Sequence, residues 1–196
     1  MLSIFKKKPG RPVSINKSRI TKKCLDFYIN NGIDNKSFNE VIKSAGVSKG
    51  SIYRLYGSED SLQKTVLDEY FHNNMKEKLN YMSETTVKEF IMEVASSLIT
   101  NKAKPCIFWR SRIEKYKLGP NTKRYLTQIE DKVKLSTIDL IKRDFKRKKV
   151  KISNENVMEL ANFLINNLNT LHLLKLNNAP HKLILSFSKT MLKQFR

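Results

Sequence analysis

The sequence predicts an all-α protein, and three observations carry that expectation. There are only six Gly and five Pro among 196 residues, so chain-breaking punctuation is sparse. Apolar residues recur three and four apart along most of the chain, the period of a helix with one buried face. Helix-start signals precede those runs: Ser37 with Glu40, and Thr86 with Glu89, have capping-box spacing. In that device a hydroxyl accepts from one orphan amide while the carboxylate three residues on accepts from another. The length suits one or two small domains with a proper core.

Charge narrows the partners. The chain carries 38 Lys or Arg against 18 Asp or Glu, a net +20. The first 23 residues hold eight basic side chains and no acid, a stripe that favours a polyanion, most simply nucleic acid. Lys far outnumbers Arg, so compositional bias also accounts for much of the charge beyond residue 60. Cys24 and Cys106 stand alone, with neither metal-ligand nor disulfide spacing, as in a reducing cytosol. No apolar run approaches the ~18 residues of a membrane span. The expectation is a cytoplasmic protein with no membrane association.

Residues 1–15 form a basic arm. Its Lys6-Lys7-Lys8-Pro9-Gly10-Arg11-Pro12 run resembles an AT-hook, in which an extended backbone lets Arg11 enter a narrow minor groove. The alternative is a solvated tail that adds only non-specific phosphate attraction. A first helix is expected from about residue 16 to 30, with Ile20, Cys24, Phe27 and Tyr28 inward and Gly32 ending it.

The stretch 37–62 reads as two short helices, a tight turn between them, and the start of a third. Phe38, Val41, Ile42 and Ala45 share a face; Gly46 permits a sharp turn; Ser48 caps the next helix. Ile52, Leu55 and Tyr56 turn inward, leaving Lys49, Gly50, Ser51, Tyr53 and Arg54 outside. This is a helix-turn-helix pattern whose second helix is sized for a DNA major groove. The spacing nominates Lys49, Ser51 and Arg54 for base or groove contacts, and Ser37, Ser48 and Tyr53 for phosphate. Gly50 matters by lacking a side chain that would hold the helix away from DNA.

The run Ala45-Gly46-Val47-Ser48-x-Gly50-x-Ile52-Tyr53-x-x-Tyr56, followed by Asp60 and Leu62, resembles the DNA-binding head of the tetracycline-repressor-type (TetR/AcrR) family. It spans roughly the first third of the chain. Two positions depart: Leu55 stands where that family usually has His, and Glu59 where it usually has a phosphate-contacting Lys. The resemblance implies three segments: the arm 1–15, a helix-turn-helix domain 16–57, and a helical effector-binding and dimerisation domain 58–196.

Beyond the head, Ser58 precedes Glu59 and Asp60, acids suited to a helix N-terminus, and one long helix is expected to about residue 82. Further helices are expected over about 86–101, from Pro105 past Tyr116, and over about 121–149. The resemblance implies that these enclose an effector pocket, with Phe90, Cys106, Trp109, Tyr116 and Tyr125 as candidate lining. Taken singly, each reads first as core. Arg110, Arg112, Lys115, Lys117, Lys123 and Arg124 crowd this region with Glu114 alone opposing them, which suits either an anionic effector or a solvated face.

The last two helices, about 154–177 and from Pro180 on, carry broad apolar stripes. The resemblance implies a four-helix homodimer interface through Leu160, Leu164, Leu168, Leu171, Ile184, Phe187 and Met191; the alternative is a pair that completes a monomer's core. The resulting expectation is a dimeric, ligand-responsive repressor that leaves a double-stranded operator when a small molecule binds. A constitutive basic DNA-binding or architectural protein is the second reading. An enzyme fits poorly: His72, His172 and His181 stand apart, with no nucleophile–base pair, metal motif or phosphate loop. No catalytic residue, metal or cofactor is expected.

Overall fold

The computed structural model describes residues 16–33, 37–100 and 106–195, so Arg11 and the rest of the arm lie outside the described residues. Ten α-helices occur among them and no strand does. Three short helices come first: α1 (Lys17–Asn31), α2 (Phe38–Ala45) and α3 (Lys49–Tyr56). The remainder comprises α4 (Glu59–Tyr70), α5 (Lys76–Glu84), α6 (Val87–Ile99), α7 (Ile107–Ile113), α8 (Pro120–Arg147), α9 (Asn154–Leu176) and α10 (His181–Leu192).

Local chemistry sets these boundaries. Asn16 accepts from the Arg19 amide and starts α1. Ser58 accepts from the Ser61 amide at α4, and Thr86 and Glu89 complete the second capping box at α6. Pro120 occupies the first position of α8, where its missing N–H costs nothing.

The single helix expected over 58–82 is interrupted. Phe71–Met75 form one π-helical turn between α4 and α5, which inserts a residue's worth of rotation into the ladder. Phe71 and Met75 are both buried as a result. The helix expected to run past Tyr116 ends at Ile113 and is followed by a 3₁₀ turn, Lys115–Lys117.

One continuous core joins the head to the body. α1 packs on α2 and α4, α4 packs along α8, and α8 packs on α9. The last two helices behave differently from the dimer expectation. Leu164, Leu168, Leu171, Ile184 and Met191 are buried within this chain, because α9 packs on α8 and α10 packs on α6 and α9. Of the seven expected interface residues, only Leu160 and Phe187 keep partial exposure. Periodicity marks a buried stripe but not whether a helix of the same chain or of another buries it.

Candidate nucleic-acid interface and internal cavity

The α2–α3 unit is held by reciprocal hydrogen bonds. The Ser37 amide donates to Glu40 Oε2 at 2.9 Å, and the Glu40 amide returns to Ser37 Oγ at 3.4 Å. Gly46 adopts a left-handed conformation, φ 69° and ψ 38°, which a Cβ would strain. Its amide donates to Lys43 O and the Val47 amide to Ile42 O, the paired bonds of a Schellman turn. Ser48 then accepts from the Ser51 amide at 3.2 Å to begin α3.

Two buried side chains fix the roll of α3. Ile52 is fully buried, and the Tyr56 hydroxyl lies 2.9 Å from Thr21 Oγ1 and donates to Lys17 O at 3.1 Å. Those contacts tie the helix to α1. The opposite side carries Lys49, Gly50, Tyr53 and Arg54, all exposed, with Ser51 half-buried beside them. Ser37 and Ser48 are exposed at the two helix starts. Tyr53 is 43% exposed, with Phe38 edge-on at 6.0 Å and Lys49 Nζ 5.8 Å from its ring centre.

The nearest atom to a Cβ built on Gly50 is Ser48 Oγ, 4.0 Å away, so nothing inside the chain requires glycine there. Leu55, the departure from the resemblance, packs half-buried against the core. Glu59 opens α4 and accepts from Gln63 Nε2 at 3.4 Å.

A second feature lies about the middle of the helical body. A cavity of about 50 Å³ opens among α5, α6, α7, α8 and α9. Phe90, Cys106 and Trp109 line it, as do Met82, Leu168 and His172. Trp109 stacks on His172 with ring centres 5.8 Å apart and planes 24° from parallel. The Tyr70 hydroxyl donates to Cys106 Sγ at 3.1 Å. Burial pushes the His172 imidazole down to about 3, with Lys78 repelling its proton as a lesser cause, so the ring is neutral at physiological pH.

Tyr116 and Tyr125 are not part of this cavity. Tyr116 is 74% exposed on the 3₁₀ turn. Tyr125 is spent elsewhere: its hydroxyl donates to Asp68 Oδ1 at 2.5 Å, and Lys64 Nζ sits 5.0 Å from its ring centre. Helical spacing placed both on an inward face, but the chain turns at Glu114 and α8 presents Tyr125 to α4 instead. His172 and Leu168, four apart on α9, also line the cavity, although the sequence places Leu168 at the expected dimer interface and gives His172 no role.

The basic cluster of this region also resolves differently. Glu130 of α8 accepts from Arg112 Nε at 3.2 Å and Lys115 Nζ at 2.5 Å, while Arg110 Nε lies 3.7 Å from Glu114. An acid sixteen residues downstream of Glu114 supplies the missing counter-charge, and none of these three cations lines the cavity itself, although Arg110 lines a cleft beside it. Among the described residues, no group of His, Cys, Asp and Glu is placed to hold a metal ion, and no helix is long and apolar enough to cross a membrane.

No protein-family model and no curated protein matches the sequence. Solved structures do match the fold. A cysteine variant of the TetR-family transcriptional regulator CifR, crystallised with a 26-base-pair operator, superposes with a TM-score of 0.73 at 14% identity. The match covers 93% of this chain and 98% of that one. Reduced NemR from E. coli gives 0.71 at 14% identity over 89% and 95% of the two chains. A TetR transcriptional regulator from Legionella pneumophila gives 0.72 at 14% identity over 95% and 100%. With helices matched along nearly its whole length, the chain has the fold of the TetR/AcrR-type transcriptional regulators, a helix-turn-helix head on a C-terminal helical body.

Proposed function

We propose that this chain is a DNA-binding transcriptional regulator that acts as a homodimer, and that a small molecule bound in its helical body releases it from a double-stranded operator. The single observation that carries the reading is the outward face of α3. Lys49, Tyr53 and Arg54 project from a helix whose other side is locked by Ile52 and Tyr56, and Gly50 leaves a gap that nothing in the chain fills. Cations at both ends of a bare, rigid surface suit a major groove, with Ser37 and Ser48 at the helix starts for phosphate. The similarity in fold to a regulator crystallised on operator DNA supports the same assignment.

Dimerisation would use the outward sides of α9 and α10. Leu183 and Met158 are exposed there, with Leu160 and Phe187 partly so. Two heads on a symmetric dimer would reach half-sites about one turn of DNA apart, ~34–36 Å. A ligand in the cavity then acts by favouring the conformation whose heads are wrongly spaced, to the extent of its differential affinity. The domain division 16–57 and 58–196 belongs to this proposal, as does a cytoplasmic location.

Selection of binding sites from random duplexes, followed by anisotropy titrations at two salt concentrations, tests it. A regulator retains strong preference for the selected site over random DNA at the higher salt. A constitutive, non-specific binder, which the +20 charge would favour, loses both complexes in parallel.

A further inference from the structure

Resting on the cavity as the effector site, we infer that its ligand is a small, uncharged aromatic molecule, of about one ring, bearing a polar substituent that donates a hydrogen bond. Walls of Phe90 and Trp109, with Met82 and Leu168, present aromatic carbon, a thioether and aliphatic carbon. Such a surface rewards a flat apolar body and gives an ion nothing to replace its hydration. No carboxylate lines the space, so a cation would enter unpaired. Lys78 is the one charged lining residue, and it is exposed. The outer groove it shares also carries Glu77 and Glu93, so the mouth holds both signs and selects neither.

The polar groups inside are neutral and few. His172 presents one ring nitrogen that donates and one that accepts. Asn169, three residues earlier on α9, lines an adjoining cleft shared with Cys106, Trp109, His172 and Arg110, and its Oδ1 is buried without a hydrogen-bond partner; the Arg110 charge there is countered by Glu114, 3.7 Å from its Nε. An unsatisfied buried acceptor calls for a donor, and a ligand N–H or O–H supplies one. The arrangement therefore discriminates by charge: a carboxylate would meet a lone acceptor, and a cation would meet an uncompensated apolar wall.

Three nearly isosteric probes separate these cases: benzamide, benzoate and benzamidinium, which are neutral, negative and positive at pH 7. Trp109 is the only tryptophan in the chain and lines the cavity, so its emission, excited at 295 nm on the full-length protein, reports occupancy directly. We expect a saturable change with benzamide and at least tenfold weaker binding of both ions. Val94→Phe, which fills the space from α6, should abolish the response, and His172→Phe, which keeps the stack on Trp109 but loses the ring nitrogens, should weaken it several-fold. Thermal melting identifies any variant that fails to fold. Equal binding of either ion, absence of a saturable benzamide response, or a folded Val94→Phe that responds normally would overturn the assignment. The DNA reading is scored separately: benzamide that binds yet leaves the operator complex intact removes release by ligand while the ligand class stands.

Discussion

Asp60 on α4 caps a helix to which it does not belong. Its Oδ1 accepts from the Thr122 amide at 3.0 Å and from Thr122 Oγ1 at 2.6 Å, and its Oδ2 accepts from the Asn121 amide at 2.9 Å. Gly119 supplies no side-chain cap to α8, so the carboxylate from the first turn after the helix-turn-helix head does so. Eight residues on, Asp68 takes the Tyr125 hydroxyl. The first helix after the head is thus fastened to α8 at two points, eight residues apart along α4.

Burial by itself would raise the Asp60 carboxyl, but the hydrogen bonds from Thr122 and Asn121 outweigh it and hold the group below the usual carboxylate range. A depressed folded value means stability that is present above the unfolded value and lost as pH falls through the folded one. Asp60→Ala should therefore destabilise the fold by about 1 kcal/mol, as loss of a helix cap does. It should also flatten the acid limb of stability against pH. Urea denaturation of both proteins at pH 7 and at pH 3 checks this; an unchanged acid limb would mean the cap contributes nothing.

At the head, Tyr53→Ala and Lys49→Ala should each weaken operator binding roughly tenfold, the scale of one charge-assisted or aromatic contact, while leaving the melting temperature unchanged. Lys49→Ala should also reduce the slope of affinity against salt by about one counterion. Anisotropy on the selected site at several salt concentrations measures both. Normal binding by both variants would remove the outward face of α3 from the interface.

Which parts of this were legible in the sequence follows from what each signal encodes. The capping box at Ser37 and Glu40, the turn at Gly46 and the inward pair Ile52 and Tyr56 are local, and residues within one helix turn specify them. The cavity is not local. Phe90, Cys106 and Trp109 do meet, but only because α6 and α7 close over α8 and α9, and the same spacing placed Tyr125 inward although Asp68 on another helix holds it. The π turn at Phe71–Met75 breaks no propensity rule, so no local signal in the sequence marks it. Apolar stripes on α9 and α10 revealed burial without naming the partner, so core residues such as Leu164 and Ile184 were read as interface.

His172 gives a second pH signature. Its folded value, about 3, lies below the ordinary imidazole value because burial, and secondarily Lys78, disfavour the charged ring. Between about pH 6.5 and 3 the unfolded chain binds a proton that the folded chain does not, so stability falls as pH drops across that window. His172→Phe should keep the ring packing on Trp109 and remove this contribution, leaving a shallower decline below pH 6. In proton NMR the His172 ring resonances should stay fixed between pH 8 and 5. Movement of His172 in that range would show a solvated ring and a more open cavity.

Gly32 couples the end of α1 to α7. It ends α1 at φ 83° and ψ 160°, its amide donating to Tyr28 O at 2.7 Å, a backbone region open almost only to glycine. A Cβ there would also fall 2.4 Å from Nε of Arg110, whose neighbour Trp109 faces the cavity. Two costs are therefore superposed in Gly32→Ala: backbone strain of about 1–3 kcal/mol and displacement of a half-buried guanidinium. The second is the smaller, since the clash is with the flexible end of a side chain. Gly32→Ala should destabilise by that amount, and adding Arg110→Ala should recover only a minor part, because removing the guanidinium leaves φ positive. Denaturant melts of the two single variants and the double variant distinguish the terms. Full recovery in the double variant would mean that steric contact with α7, not the backbone of α1, is what forbids a side chain at this junction.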